Sequence, residues 1–463
     1  MKRLLITIFG ILILTLLVGI LYNYLMNQVY KKDQTNFEMQ IEKIIKKEFF
    51  NHDMAQIGKS KSGDNKYNKY NMYYTTSEKE HIIKQLEAQT KEASKQMKDS
   101  RSMVLSYVNE QKVNDKIIKR QLVTKKYVWD EKTKCLNYFG EVKAIAEILL
   151  SKNRNNSRLK DIVNDEGDFL AIKRIIQEQV LDRHASLKSI LDDEKINQVL
   201  MDDFLTNSSK ITIFSHSVEI MFDKEIVGMK KINVSFEKIF PFINPEIAYD
   251  RDVSKKEIDK KRKYVALTFD DGPNDTSTIK LLEKLKAEKV KATFFVLGQM
   301  VDKNPEVAEQ IIREGHELGS HSYTHPDLTH LSPDKIKEEV LKTDKAVFRA
   351  TGVLPRHFRP PYGAVNRSVA KSIGLPIIQW NVDSEDWKVK DKDLIVNKVM
   401  NTVKNGSIIL IHDIHDLSVE SIPKMVNQLR KSGYEFVTVS ELLSHGQKPM
   451  NQYFGINDSR EIK

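Results

Sequence analysis

Cysteine is nearly absent from this sequence of 463 residues, in which Cys135 is the single example. One cysteine cannot form an intrachain disulfide, so the fold must be stabilised by packing rather than by covalent cross-links. Hydrophobic residues make up 40% of the chain, which is enough apolar surface to bury more than one core. We therefore expect two or three globular domains rather than a disordered polymer.

Charge is also absent from the segment between Arg3 and Lys31. Within it, Leu4–Met26 is almost continuously apolar and is long enough to span a bilayer as a helix. A cleavable signal peptide is the alternative, but it would have a shorter apolar core with small residues before a cleavage site. We predict a cytoplasmic tip and an uncleaved transmembrane anchor in residues 1–30, with the rest of the chain outside the cell.

Acidic residues are too few to balance the basic ones, and the formal net charge is +10. On a protein that faces the outside of the cell, this excess suits an anionic wall or membrane surface better than nucleic acid. We therefore predict no nucleic-acid partner, and no feature of the sequence calls for an obligatory protein partner.

Residues 31–118 are highly charged and are predicted to form a helical spacer. Helical patterns run over Phe37–Phe50 and Glu78–Gln111, and the polar stretch 58–74 between them is predicted to be a loop. A charged helical segment of this kind is typical of a solvated spacer that holds later domains away from the membrane.

Residues 119–250 have a different pattern of apolar residues and are predicted to form a small α+β domain. The segment 159–181 has helical apolar spacing, whereas 211–214 and 232–236 alternate as strands do. The charge-dense run that follows, 251–263, is typical of a solvated linker. Nothing in the α+β segment identifies its function.

Residues 264–445 alternate short apolar runs with amphipathic helices, the pattern of a parallel β-sheet. Seven such strands in fewer than two hundred residues fit a distorted (β/α) barrel, and a doubly wound open sheet is the alternative. Residues 446–463 are predicted to be a tail outside this domain. The predicted strands are Tyr264–Phe269, Ala292–Leu297, His316–Ser320, His357–Pro360, Pro376–Val382, Ser407–His412 and Glu435–Val439.

Polar side chains follow the first of these strands, where a parallel sheet gathers its reactive groups. Asp270 and Asp271 end the strand before a Gly-Pro turn. Because successive side chains of a strand point apart, one carboxylate can bind a metal while its neighbour accepts a proton from water. An Asp-Asp-Gly-Pro turn is also common without any chemical role.

Two histidines follow the third strand at a separation that suits a metal. His321 and His325 lie four residues apart, so one turn of backbone can direct both imidazoles at a single ion. Two histidines with one carboxylate leave positions open for water and a substrate oxygen, as catalytic sites do. The sequence therefore predicts a divalent metal held by His321, His325 and one of the two aspartates.

Three further segments place candidate catalytic or substrate-binding residues at strand ends. The prolines of Arg359–Gly363 fix a backbone that can present an N–H to a developing oxyanion. Asp383–Trp387 sets carboxylates beside an aromatic ring that can stack on a sugar, although an acidic turn is the plain alternative. His412 ends an apolar strand and is the candidate general acid.

Taken together, the five segments resemble the NodB-type polysaccharide deacetylases, carbohydrate esterase family four. The resemblance covers Tyr264 to about Leu443, and its fold is a distorted (β/α) barrel. With the predicted anchor and the two preceding regions, the chain is most similar to three-domain peptidoglycan N-acetylglucosamine deacetylases of bacterial cell walls. The matching motifs are Thr268–Gly272, His321–His325, Arg359–Tyr362, Asp383–Trp387 and Leu410–His412.

The resemblance implies a role for each matching residue around the metal. Asp270 is implied as the general base, and Arg359 as the residue that orients it. Asp271, His321 and His325 are implied as the metal ligands. We expect Zn²⁺ from the family and from the usual order of affinities, with Co²⁺, Mn²⁺ or Ni²⁺ as alternatives.

The remaining roles concern the substrate. The resemblance implies that the backbone N–H of Tyr362 binds the oxyanion, that His412 protonates the departing amine, and that Asp386 tunes His412. It also implies that Trp387 and Leu410 line the acetyl pocket.

The expected activity is hydrolytic removal of N-acetyl groups from peptidoglycan N-acetylglucosamine, with release of acetate. Other substrates stay open, namely poly-N-acetylglucosamine, chitin oligomers and acetyl xylan. A protein of another class also stays open, a wall-binding scaffold whose deacetylase domain is inactive.

Overall fold

The computed structural model describes the chain in segments, and it divides into two compact units. One unit comprises residues 1–155 with 213–215, and the other comprises residues 156–212 with 216–463. The described residues are 2–51, 59–64, 68–74, 79–97, 100–150, 156–185, 193–201, 204–248, 259, 261–444 and 446–463.

The first unit is a β-sheet with a helix packed on each face. The strands run in the order β1 to β5, all antiparallel except the parallel pair β2 and β3. Its elements are α1 (Lys2–Asn51), β1 (Lys59–Asp64), β2 (Asn68–Tyr74), α2 (Glu80–Gln96), β3 (Ser102–Lys112), β4 (Ile117–Asp130) and β5 (Cys135–Leu150).

Side-chain alternation in β3 explains the two-sided core. Met103 and Leu105 pack in one cluster with Phe37 of α1, whereas Val104 packs with Ala93 of α2. Successive residues of a strand point to opposite faces, so a continuous apolar run buries both faces of a sheet.

This unit corrects four predictions made from the sequence, of which the first is the loop predicted over 58–74, where β1 and β2 lie. The region predicted as a helical spacer contains β1, β2 and β3, and the boundary predicted between 118 and 119 falls inside β4. The helix predicted over 78–111 ends at Gln96. The end of β3 is polar and exposed, and β4 carries half-buried charged residues within the strand, so the period of these strands is hidden from a reading of local sequence.

No helix among the described residues is both long and apolar enough to cross a membrane. The predicted anchor includes residues 4–13, whose side chains lie outside this description.

The second unit begins with a small α+β segment. The helix predicted over 159–181 and the strand predicted over 232–236 correspond to α3 and β8 below. Strands β7 and β8 form an antiparallel hairpin. The elements are α3 (Glu166–Ala185), α4 (Asp193–Met201), β6 (Ile211–Ile213), of which Ile213 is assigned to the first unit, β7 (Ser217–Ile226), β8 (Met229–Ser235) and α5 (Phe236–Ile239).

The rest of this unit alternates strands and helices as predicted, with two corrections. The predicted strand His357–Pro360 is reduced to single bridges at Phe358, and the predicted strand Pro376–Val382 is divided into two short strands. Of the predicted linker, residues 251–258 and 260 lie outside the described residues, and Lys263 already belongs to the first strand. The elements are β9 (Lys263–Asp270), α6 (Ser277–Ala287), β10 (Thr293–Val296), α7 (Gly298–Lys303), α8 (Pro305–Arg313), β11 (Glu317–Ser320), α9 (Pro333–Thr351), α10 (Arg367–Ile373), β12 (Ile377–Ile378), β13 (Val382–Asp383), α11 (Lys392–Thr402), β14 (Ser407–His412), α12 (Asp416–Lys431), β15 (Tyr434–Phe436), α13 (Val439–Leu443), β16 (Asn451–Gly455) and β17 (Asp458–Glu461).

The strand pairings close into a distorted barrel. The order is β11-β10-β9-β14-β16-β12, and single bridges from Phe358 to Ser320 and Ile377 join the two ends. The segment 446–463 is therefore not the predicted tail, because β16 lies between β14 and β12 and pairs with both. Its hairpin is largely polar, but Met450 and Ile462 are buried in the core.

Alternation along β9 decides which side chains face the barrel interior. Val265 and Phe269 join the large core between the strands and the outer helices, whereas Tyr264 and Ala266 join an interior cluster with Phe295. Asp270 follows the interior set, four residues after Ala266. The last residue of β9 therefore places a carboxylate at the carboxyl end of the barrel.

Candidate active site

Asp270 and Arg359 form a buried ion pair at the centre of the site. Arg359 Nη1 donates to Asp270 Oδ1 at 2.7 Å and to Thr268 Oγ1 at 2.8 Å. The guanidinium also donates to the carbonyls of Ile378 and Gln379, so four fixed acceptors hold it. Burial raises the pKa of the Asp270 carboxyl, while the charge of Arg359 opposes that rise. A buried, oriented carboxylate with a raised pKa suits proton abstraction.

Asp271, His321 and His325 converge on one point. The Nε2 atoms of both histidines lie 3.6 Å from Asp271 Oδ1, and the three ligand atoms all lie within 4.8 Å of one another. Oδ1 of Asp271 is buried and accepts no hydrogen bond within the described part of the chain. A buried carboxylate oxygen between two imidazole nitrogens fits a divalent cation.

Hydrogen bonding prepares His321 for this task. Its Nδ1–H donates to the carbonyl of Arg359 at 2.6 Å, which leaves the lone pair of Nε2 directed at Asp271. Burial lowers the pKa of His321 to about 3, so the ring is neutral and free to ligate at physiological pH.

The two neighbouring carboxylates do not diverge as the strand pattern predicted. Asp271 has a φ of 80°, which ends the strand in the left-handed region. Both carboxylates therefore approach the same imidazole, with Asp270 Oδ2 3.8 Å and Asp271 Oδ1 3.6 Å from Nε2 of His321. The predicted base thus lies directly beside the predicted metal ligands.

His412 lies opposite Asp270 on the adjacent strand and is paired with Asp386. The register of β9 and β14 aligns His412 with Asp270. The Asp386 carboxylate accepts from His412 Nδ1–H at 2.8 Å, from the His412 backbone N–H at 2.8 Å, and from Ser418 Oγ. Burial alone would lower the pKa of His412, but the hydrogen bond and charge of Asp386 raise it to about 9. The ring is therefore a proton donor at neutral pH.

The predicted substrate residues lie around this centre. Tyr362 has left-handed backbone with a φ of 61°, is 70% exposed, and its ring centroid lies 4.7 Å from that of His325. Trp387 is 56% exposed, and Leu410 is buried two residues before His412 on the same side of β14. Their predicted roles toward the oxyanion and the acetyl group stay predictions.

Sequence reasoning missed Asp413, a buried carboxyl beside the site. Its Oδ2 accepts from Thr278 Oγ1 at 2.5 Å. Burial raises the pKa of Asp413 to about 7; the bond from Thr278 opposes this rise, and the nearby carboxylates Asp271 and Asp270 add to it. Asp413 directly follows His412, the histidine that ends β14, and this position is the sequence feature that could have identified it. A carboxyl group there is covered by the loop that follows.

Comparisons with known proteins agree with this site. The polysaccharide deacetylase family matches residues 257–378. A peptidoglycan-N-acetylglucosamine deacetylase of Listeria monocytogenes is 37% identical over 378 residues, which cover 76% of this chain and 75% of the relative. A peptidoglycan-N-acetylmuramic acid deacetylase of Bacillus subtilis is 41% identical over 185 residues, 40% of each chain. A peptidoglycan-N-acetylglucosamine deacetylase of Bacillus cereus is 40% identical over 185 residues, 38% of this chain and 67% of the relative.

The Listeria relative matches about three quarters of both chains, so the similarity extends well beyond the barrel. The resemblance inferred from the five motifs is confirmed, and the chain belongs to the polysaccharide deacetylase family.

Proposed function

We propose that this protein removes N-acetyl groups from N-acetylglucosamine residues of peptidoglycan and releases acetate. The observation that carries the proposal is the Listeria relative named for this activity, at 37% identity across three quarters of both chains. The geometry of the site supports it, because Asp270 and His412 lie beside the cluster of Asp271, His321 and His325.

A divalent metal, Zn²⁺ by preference, would be held by Asp271, His321 and His325. Bound there, it supplies Lewis acidity that polarises the amide carbonyl and makes a water molecule easier to deprotonate. The donor set of two imidazoles and one carboxylate is typical of catalytic sites that keep coordination positions open.

The protein's own residues account for the proton transfers. Asp270, oriented by Arg359, accepts the proton of the attacking water. The backbone N–H of Tyr362 would bind the oxygen that gains negative charge. His412, kept protonated by Asp386, gives its proton to the amine nitrogen as the C–N bond breaks. The products are acetate and a free amine on the sugar.

The location of the protein is part of the same proposal. A wall substrate requires the catalytic barrel to lie outside the cell, and residues 1–30 would anchor it in the membrane with the barrel facing the wall. The apolar run Leu4–Met26 and the excess of basic residues support this arrangement.

Acetate release from peptidoglycan, with and without a chelator, tests the proposal. We expect release that the chelator abolishes and that added Zn²⁺ restores. Poly-N-acetylglucosamine, chitin oligomers and acetyl xylan are assayed in parallel, and a preference for one of them would replace peptidoglycan as the substrate. No release from any of the four would favour the inactive scaffold.

Two variants separate metal binding from proton transfer. His321→Ala should lose bound metal and activity together, because it removes a ligand. Asp270→Asn should keep the metal and lose turnover, because it removes the base. His330→Ala is the matched control, since the side chain of that nearby histidine is 81% exposed. Metal content is measured beside acetate release, and normal turnover by Asp270→Asn would show that the base has been assigned wrongly.

A further inference from the structure

The loop that joins the two metal-ligand histidines has an unfavourable backbone. Ser322 has a φ of 67° and His325 a φ of 64°, both in the left-handed region that side chains other than glycine rarely adopt. Ser322 Oγ accepts the N–H of His325 at 3.0 Å, which ties the loop to itself. Contacts from outside the loop are still needed to hold both imidazoles on one point.

Glu339 of α9 supplies such contacts. Its Oε2 accepts the backbone N–H groups of Tyr323 and Thr324, each at 2.8 Å. Its Oε1 accepts from the Thr324 hydroxyl at 2.9 Å. Three donors that lie between the two ligands therefore converge on one carboxylate. Hydrogen bonds to an ionised acceptor are about twice as strong as neutral ones.

The helix that carries Glu339 is itself firmly held. Its apolar residues Ile336 and Val340 are buried on the barrel. One turn past Glu339, Asp344 accepts from Arg174 at 2.6 and 3.0 Å in an ion pair that is almost wholly buried. A loop tied to this helix is thus tied to the rigid part of the unit.

Glu339 is not a fourth metal ligand. Both of its oxygens are occupied by loop donors, and it is absent from the cluster of ligand atoms formed by Asp271, His321 and His325. Its carboxylate binds the loop backbone at two of the three residues that separate the histidines.

We propose that Glu339 is a positioning residue for the metal centre, which fixes the His321–His325 loop in the conformation that brings both Nε2 atoms to Asp271. The inference rests on the proposed metal site. Groups that orient metal ligands are typically worth 10- to 100-fold in metal affinity.

Co²⁺ binding by the full-length protein tests this role. The dissociation constant is measured by competition with a chromogenic chelator, and the visible spectrum of bound Co²⁺ reports the ligand geometry. We expect Glu339→Ala to raise the dissociation constant by about 10- to 100-fold and to alter the spectrum at saturation. Glu339→Gln keeps one acceptor oxygen and should show a smaller change in the same direction.

Glu338→Ala is the matched control. Glu338 lies on the same helix, and its carboxylate pairs with Lys335 and Lys342 at 2.8 Å rather than with the loop. We expect this variant to bind Co²⁺ as the wild type does. A merely structural role for Glu339 would lower the melting temperature while leaving the affinity and the spectrum of Co²⁺ unchanged.

The outcomes are separable. Wild-type affinity and spectrum in Glu339→Ala would overturn the assignment, and if that variant does not fold, the same result in Glu339→Gln would overturn it. Failure of the wild-type protein to bind Co²⁺ would instead overturn the metal site, and the assignment of Glu339 with it.

Discussion

Removal of the Asp270 charge should destabilise the protein as well as inactivate it. Arg359 is fully buried and Asp270 is 2% exposed, so Asp270→Asn leaves a buried cation without its counter-charge. Breaking one side of a buried ion pair costs about 3–5 kcal/mol. The new amide oxygen and the acceptors Thr268, Ile378 and Gln379 still receive hydrogen bonds from the guanidinium. We therefore expect a loss near the lower end, about 3 kcal/mol.

Calorimetry of the metal-free protein checks this magnitude. For a domain of about 200 residues, such as the barrel, a loss of about 3 kcal/mol corresponds to a fall in Tm of roughly 6–12 °C. Glu385→Gln is the control, because Glu385 pairs with Lys388 and Lys398 at a partly exposed site and should cost less than about 1 kcal/mol.

A double-mutant cycle makes the test stricter. Arg359→Met added to Asp270→Asn removes the uncompensated cation, so the double variant should lose less stability than the sum of the single losses. An unchanged Tm in Asp270→Asn, or strictly additive losses in the double variant, would refute the account of the ion pair.

Three further predictions follow from the same structure. Protonated His412 stabilises the fold fully below its unfolded pKa of 6.5, and this contribution is lost as pH rises through about 9. Asp386→Asn should remove this contribution and shift the alkaline limb of the pH–rate profile to lower pH. An unchanged alkaline limb would contradict the pairing of Asp386 with His412. Glu317, although buried, has its pKa lowered to about 2 by His357 and by hydrogen bonds from Ser440. Its contribution of about 3 kcal/mol is present above pH 4.5 and lost as pH falls through about 2. The free energy of unfolding of Glu317→Gln, measured with denaturant, should therefore equal that of the wild type only in strong acid. Equal free energies of unfolding at pH 7 would disprove this. Deletion of 446–463 removes β16 and β17 from the barrel and should abolish cooperative thermal unfolding by circular dichroism. A sharp native-like transition would contradict this.

The barrel strands that carry the site were predictable from sequence because their signals are local. The predicted strand Ser407–His412 coincides with β14. A short apolar run that ends in a histidine or in paired aspartates has few interpretations other than a buried strand that ends at a site. Strands β3 to β5 were not recoverable in the same way. Their charged residues interrupt the alternation, and their burial depends on α1 and α2 from elsewhere in the chain.

The same distinction between local and long-range signals applies to the residues of the site. The types and positions of Asp270, Asp271 and His321 were readable, since each ends or directly follows a strand. The contacts of Glu339 and of the Arg359 carbonyl join residues far apart in the sequence, so only the folded chain shows them. The hairpin that completes the barrel is polar and was predicted as a tail for the same reason, because its burial arises from pairing with β14 and β12.

Arg359 contacts the predicted base through its side chain and a predicted metal ligand through its backbone. The guanidinium holds Asp270, whereas the carbonyl accepts from His321 Nδ1. Substitution at this position changes the first contact and keeps the second, since every amino acid has the same carbonyl. The two halves of the site are therefore separable by mutation. A substitution of Arg359 should therefore impair the predicted proton abstraction by Asp270 while it leaves the orientation of His321, and with it the predicted metal site, in place.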